Sequence, residues 1–437
     1  MLNAHKPPTQ AASLNRRRTF GRAFLVITII LSILPNHAGP NIYHSAAQAQ
    51  SKKPKRPFRM LVLGDSVMWG QGLTDEHKFS YRVREWICAK RNGGVCQNRD
   101  DVQIHVEAHS GAVIAQPSGD ESKKEEERFT RVETPVKYPG EVNHKYPSVW
   151  GQVDLARHYY AENSIPPEEV DLIFVNGGIN DMGAPKILLP FFGGNVTDFA
   201  KKYCEIQMKL LLDKLANTFP NARIVVPGYF PLVSINTPES VLWETIEYLF
   251  RDKKDKTNEK KAVEKESTKP PAAATTAKVS TLVRNLAKRS QQWTDASNNA
   301  FQAAVKSFNS ERPRLRTVAS GVPSRPPEAP MRALFVVVPF TNENAYAARN
   351  AYLWKLIPKP PGVELECSEK GPLKKLIASD ELQATRTCMC DQAGKGNDLL
   401  CLWAGAFHPN VAGADLYFRS ITRELERILP FTGWVAK

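Results

Sequence analysis

The chain has 437 residues, of which 42% are apolar and 24% charged, and a formal net charge of +14. That composition excludes a disordered or fibrous chain and allows a sizeable core, in two or three average domains or in one α/β domain with insertions. The basic balance favours anionic surfaces such as phospholipid or acidic polysaccharide. No stripe of interleaved basic and aromatic residues accompanies it, which argues against nucleic acid as a partner.

Residues 1–49 contain Lys6, Arg16, Arg17, Arg18 and Arg22 and no acid, which leaves about +9 for the remainder. Arg16 to Arg22 followed by the apolar run Ala23 to Leu34 reads as the basic and hydrophobic regions of a secretory signal, with Ala47-Gln48-Ala49 as its cleavage site. The run is short for a bilayer span. Arg17-Arg18-Thr19-Phe20 is similar to a twin-arginine export signal and points to a bacterial source. The cleavage site stands far from the apolar run, so an uncleaved signal anchor is the alternative. Either arrangement exports residues 57–437 to the periplasm or the cell exterior, where contact with anionic envelope surfaces is expected.

Met60 to Leu63 is a short apolar run that stops at Gly64-Asp65-Ser66 and is followed by Gly70 and Gly72, a strand delivering its last side chains to a sheet rim. His77 to Arg91 has helical spacing. Val102 to Glu107 alternates as a second strand and leads to His109-Ser110-Gly111. Val149 to Tyr160 is expected to be helical, and Asp171 to Val175 a buried parallel strand ending at Asn176-Gly177-Gly178. Thr197 to Phe219 is the longest amphipathic helix before the fourth strand, Ala222 to Val226. Ala333 to Val338 is the fifth strand, and Asn410 to Leu429 a closing amphipathic helix.

Between the last two strands, residues 236–330 read as an insertion with helices at Val241 to Phe250 and Leu282 to Ser307. Residues 251–279 have almost no apolar periodicity and are expected to be a disordered linker. The helices could cap the rim or lie on the far side. Five strands alternating with helices imply a parallel sheet covered on both faces, one three-layer α/β/α domain.

Export makes the cysteines disulfide partners more readily than metal ligands. Cys88 and Cys96 flank a Gly-Gly turn and can close a small loop, and at least one bridge is expected among Cys367, Cys388, Cys390 and Cys401, where the spacing does not suit zinc. Cys204 is left over as a buried apolar residue.

Four blocks carry the chemistry. Gly64-Asp65-Ser66 with Gly70, the lone Gly111, Gly178-Ile179-Asn180-Asp181 and His408-Pro409-Asn410 occur in the order and on the elements that resemble the SGNH (GDSL-type) hydrolase family. The resemblance covers roughly half of the chain and implies a flavodoxin-like strand order. It implies Ser66 as nucleophile, His408 as base, and an oxyanion hole from the Ser66 and Gly111 backbone amides and the Asn180 side chain, with no metal or organic cofactor. Asp65 and Asp181 are expected to hold the loops of Ser66 and Asn180. One departure stands out: the family usually places an aspartate three residues before the histidine, and here that residue is Gly405. A backbone carbonyl in the Asp398 to Phe407 approach is the first candidate to orient His408, and the Asp398 side chain the second.

The expected activity is that of an exported, monomeric serine esterase cleaving an acetylated glycan, a lipid or a small acyl ester through an acyl-enzyme. Acyl transfer to a sugar hydroxyl would use the same residues. A silent envelope-glycan or lipid binder is the rival, motivated by Gly405 and the basic surface.

Overall fold

The computed structural model describes residues 56–124, 140–183, 186–187, 194–251, 280–311, 332–358, 376–394 and 399–429. The export segment 1–49, nearly all of the linker 251–279, Cys367 and Asp398 lie outside the described residues.

Five strands, β1 (Phe58–Leu63), β2 (Val102–Val106), β3 (Leu172–Val175), β4 (Arg223–Pro227) and β5 (Ala333–Val336), form one sheet in the order β2-β1-β3-β4-β5. Every pairing is parallel, with Met60 opposite Leu172 and Ile104, and Val225 opposite Leu334. β1 and β3 are apolar and almost wholly buried because helices cover both faces of the sheet. The order reverses direction at β1, so the switch point lies between β1 and β3. A doubly wound sheet opens its ligand crevice there, outside the carboxyl ends of the strands, and Ser66 and Asn180 follow those two ends.

The main helices are α1 (Ser66–Trp69), α2 (Phe79–Arg91), α3 (Val149–Glu162), α4 (Ile179–Met182), α5 (Met208–Thr218), α6 (Glu239–Arg251), α7 (Thr281–Glu311), α8 (Gln383–Gln392) and α9 (Val411–Ile428), with further short helical turns at Val196–Ala200 and Leu399–Leu402. α2 and α9 pack together on one face, where the Phe79 and Tyr417 rings stack at 5.3 Å and Arg82 meets Asp415. α3, α5 and α7 cover the other, joined by Lys214–Asp154 and Lys209–Glu311 pairs.

The long α7 is the crossover from β4 to β5 and lies along the sheet. Phe301 packs on Tyr229 and Phe335, and the Asn309 side chain brackets Ala333 by bonding both its N–H and its carbonyl. The stretch expected as one helix from Thr197 to Phe219 is α-helical at Val196–Ala200, π-helical at Lys201–Gln207, and α-helical again in α5. The widened turns carry Cys204, a buried free thiol packed against Gly177 and Gly178.

The cysteine-bearing stretch contains an antiparallel pair, β6 (Leu356–Pro358) with β7 (Leu376–Ala378), and then α8. These strands are three residues long, too short to show an alternation. Cys88–Cys96 and Cys390–Cys401 are disulfides, and Cys388 is disulfide-bonded as well. Among the described residues no helix is long and apolar enough to cross a membrane.

Phe301 is fully buried between α7 and the sheet, so Phe301→Ala is expected to lower the unfolding free energy by about 3–5 kcal/mol in urea titrations. A loss below about 1 kcal/mol would show that α7 does not pack on the sheet.

Candidate active site

β1 ends at Leu63, and the chain turns through Gly64 and Asp65 so that Ser66 is the first residue of α1. An amide at that position has no helical acceptor and is left to serve something else. Two buried side chains hold the turn. Asp65 caps α1 by accepting from Val67 N–H at 2.9 Å, and its second oxygen accepts the Tyr229 hydroxyl proton at 2.6 Å. Gln152 of α3 bonds the N–H of Gly64 at 2.7 Å and its carbonyl at 3.0 Å. Burial pushes the Asp65 carboxyl up to about 6, against those hydrogen bonds.

Gly111 sits at φ +83°, and a Cβ there would lie 1.9 Å from Asn143 Oδ1 and 2.8 Å from the His144 carbonyl, so only glycine fits. Its loop is tied to the turn after β3. The Asn180 Nδ2 donates to the Ala112 carbonyl at 3.0 Å, and Asp181 accepts from Ile114 and Ala115 N–H at 2.8 and 3.0 Å. Asp181, expected to hold the loop of Asn180, does so by fastening the Asn180 turn to the Gly111 loop. Tyr229 completes the tie by accepting from Ile179 N–H at 3.3 Å with the oxygen that donates to Asp65.

His408 arrives from the other end of the chain. Its Nε2 lies 2.7 Å from Ser66 Oγ, and its Nδ1 3.1 Å from the Ala406 carbonyl. A carbonyl can only accept, so Nδ1 carries the proton and Nε2 is free to accept from the Ser66 hydroxyl. The acceptor is thus a backbone carbonyl in the segment before His408. The loop is held against residues 351–354: Trp354 N–H donates to the His408 carbonyl, Phe407 N–H donates to the Trp354 carbonyl, and Asn410 caps α9 while donating to the Ala351 carbonyl. Phe407 adopts φ +66°, a left-handed conformation unfavourable for a bulky residue, and its ring stacks on Tyr346 at 4.0 Å. Burial lowers the His408 imidazole to about 4, offset in part by the Ala406 carbonyl.

The structure therefore brings Ser66 and His408 into contact and fastens the Gly111 and Asn180 loops to each other beside them. Residues not singled out from sequence complete the frame: Tyr229, Gln152, Glu141, Asp380 and Arg386. Gln152 had a signal, a polar side chain on the apolar face that Val149, Val153 and Ala156 give to α3. Trp69 donates to Glu141 beneath the Lys78 ammonium, Lys214 covers Trp150, and Trp403 is buried, so all three serve packing. A cavity of about 550 Å³ lined by Arg59, Arg84, His105, Tyr159 and Asn163 opens at the opposite, amino-terminal ends of β1 and β2, with Arg59 and Arg84 already paired to Glu169 and Glu85. Among the described residues no cluster of His, Cys, Asp or Glu could hold a metal ion.

No family model and no curated protein matches the chain. Among solved structures it is similar to an extracellular lipase from Streptomyces rimosus, at 11% identity and TM-score 0.36, over 84% of this chain and 99% of that one. It is similar to phospholipase A1 from Streptomyces albidoflavus NA297, at 11% identity and TM-score 0.38 over the same shares. A third is a carbohydrate esterase family 2 enzyme with a carbohydrate binding domain from Corynascus thermopiles (Myceliophthora fergusii), at 14% identity and TM-score 0.29, over 68% of this chain and 60% of that one. With identity and superposition this low, the functional reading rests on the geometry of the site itself.

NMR titration of the carbon-labelled histidines is expected to find His408 neutral through the weakly acidic range and protonated near pH 4, against an ordinary midpoint of about 6.5. The unfolded imidazole binds its proton first as pH falls, so this group makes stability rise with pH between about 4 and 6.5 and contributes no slope above that window. A midpoint at or above the ordinary value would mean that the ring is solvated or paired with a carboxylate.

Proposed function

We propose that the chain is a serine esterase of the SGNH (GDSL-type) kind, exported and acting on a carboxylic ester of a glycan, a lipid or a small alcohol. The observation that carries this reading is the 2.7 Å contact between Ser66 Oγ and His408 Nε2, with Nδ1 committed to the Ala406 carbonyl. A serine so placed beside a base in a fixed tautomer is an activated nucleophile. Disulfides at Cys88–Cys96 and Cys390–Cys401 support export.

In the proposed reaction Ser66 Oγ attacks the ester carbonyl as its proton passes to His408 Nε2. The oxyanion is received by the backbone amides of Ser66 and Gly111 and the Asn180 amide, which the Ala112 carbonyl holds at the loop junction. The leaving alkoxide takes the proton from His408, and water, deprotonated by the same nitrogen, then hydrolyses the acyl-enzyme. The imidazolium formed on the way faces a neutral carbonyl, a weaker partner than a carboxylate. A sugar hydroxyl entering in place of water would make the reaction an acyl transfer at the same residues.

A serine-directed phosphonate is expected to label Ser66 stoichiometrically, and Ser66→Ala to abolish both the labelling and the hydrolysis of p-nitrophenyl esters with the fold intact. A folded, unlabelled wild-type protein would sink the reading and favour a binding protein. Asn180→Ala is expected to lower kcat by about a hundred- to a thousandfold with KM little changed, as for a donor aimed at the developing oxyanion. A rise in KM alone would assign the amide to ground-state binding.

A further inference from the structure

At residue 405, where the family resemblance puts an aspartate, the space is already filled. A Cβ added to Gly405 would lie 2.1 Å from Asp380 Oδ2 and 2.6 Å from its Cγ, so the Asp380 carboxylate stands where the side chain of residue 405 would begin. It cannot swing away. Arg386 donates to it through both terminal nitrogens, at 3.1 and 2.8 Å, and Leu382 N–H donates at 3.0 Å. Both side chains are wholly excluded from solvent.

The same guanidinium reaches the His408 loop and the loops of the other site residues. Arg386 donates to the Leu402 carbonyl and to Glu141. Glu141 in turn accepts from the Trp69 indole, the Gln71 amide and Gly72 N–H, all on the turn that follows Ser66. Its neighbour Gly140 accepts from Ser110 N–H at 2.8 Å, beside Gly111. Asp380 is wedged at the junction, since a Cβ on Gly72 would meet its Cβ at 2.7 Å.

We propose that Asp380 is the positioning residue for the base: its carboxylate has taken over the place of the acid at residue 405 and acts through Arg386 and the Gly405-Ala406 turn, which presents the Ala406 carbonyl to His408 Nδ1. This rests on the esterase reading of Ser66 and His408. Two features follow from it. Residue 405 must be glycine, because any side chain there collides with a clamped carboxylate. The acid makes no direct bond to the imidazole, because its oxygens are committed to Arg386 and Leu382. The charged groups facing His408 are Arg386, which lowers its proton affinity, and Asp380, which raises it.

The test compares wild type with Asp380→Asn, Gly405→Ala and the swap Asp380→Gly/Gly405→Asp, each checked for fold by near-ultraviolet circular dichroism. Measurements are p-nitrophenyl ester kinetics and the NMR titration of His408. Asp380→Asn and Gly405→Ala are expected to lower kcat by about ten- to a hundredfold with KM within about twofold, as for a base displaced by a fraction of an ångström. The swap returns a carboxylate to the same space on residue 405, next to the imidazole. It is expected to recover kcat to within about tenfold of wild type, a rescue that a purely structural role for Asp380 would not produce, and to raise the pH at which His408 titrates, which verifies that the new carboxylate has reached the ring. The proposal is overturned if folded Asp380→Asn keeps kcat within about twofold of wild type, or if the swap is no more active than Gly405→Ala and leaves the titration unmoved. Phosphonate labelling of wild type tests the underlying reading separately. A folded wild type with Ser66 unlabelled overturns the esterase reading itself, whereas a labelled wild type whose folded Asp380→Asn variant keeps wild-type kcat overturns the positioning role alone.

Discussion

Three charges sealed from water, Glu141, Arg386 and Asp380, set the terms on which the rest of the site is built. Taking ions out of water is unfavourable unless nearly every polar atom finds a partner in good geometry. Here the partners come from separate parts of the chain: Trp69, Gln71 and Gly72 near Ser66, Leu402 near His408, and Leu382 and Gln383 at the start of α8. Removing one member of such a cluster leaves an uncompensated buried charge, worth about 3–5 kcal/mol. The loops are therefore held in register by the high energy of any misplacement, which a purely apolar contact, free to slide, does not supply.

A second tie works on the other side of Ser66. The Tyr229 hydroxyl donates to Asp65 and accepts from Ile179 N–H, while Asp181 holds the Gly111 loop. The carboxyl ends of β1, β3 and β4 are thus joined through one phenol oxygen and the Asp65 carboxylate, and the Asp181 carboxylate adds the loop after β2. The sheet supplies rigid strands and a crevice at its switch point. The polar ties turn that general opening into fixed positions for four groups that are distant in sequence.

The five main strands and their helices were legible because a parallel sheet buried on both faces demands continuous apolar runs, and Met60 to Leu63, Leu172 to Val175 and Ile224 to Val226 are such runs. Ser66, Gly111, Asn180 and His408 were legible as motifs, and their residue types limit where each can stand. What sets their geometry was not. Asp380, Arg386 and Glu141 are separated by up to 245 residues, and each looks like an ordinary surface charge until the fold removes water from it. That a backbone carbonyl in the Asp398 to Phe407 approach orients His408 was expected from Gly405, but every residue there possesses one, and only the fold singles out Ala406. The π-helical turns escaped for a related reason: Lys201–Gln207 keeps helical periodicity, and the widening appears only where Cys204 meets the glycines after β3.

In the proposed esterase, a base held at about 4 by burial and oriented by a neutral carbonyl trades strength for range. Its lone pair is a weak proton acceptor, and Brønsted behaviour makes general-base catalysis less effective the further the pKa falls below the working pH. In exchange, the ring is not silenced by acidification that would protonate an ordinary histidine. A carboxylate bonded directly to Nδ1 would reverse both terms, giving a stronger base that fails earlier in acid. In the proposed reaction a neutral acceptor at Nδ1 would therefore place the working window of the site toward acid and lower its ceiling at neutral pH.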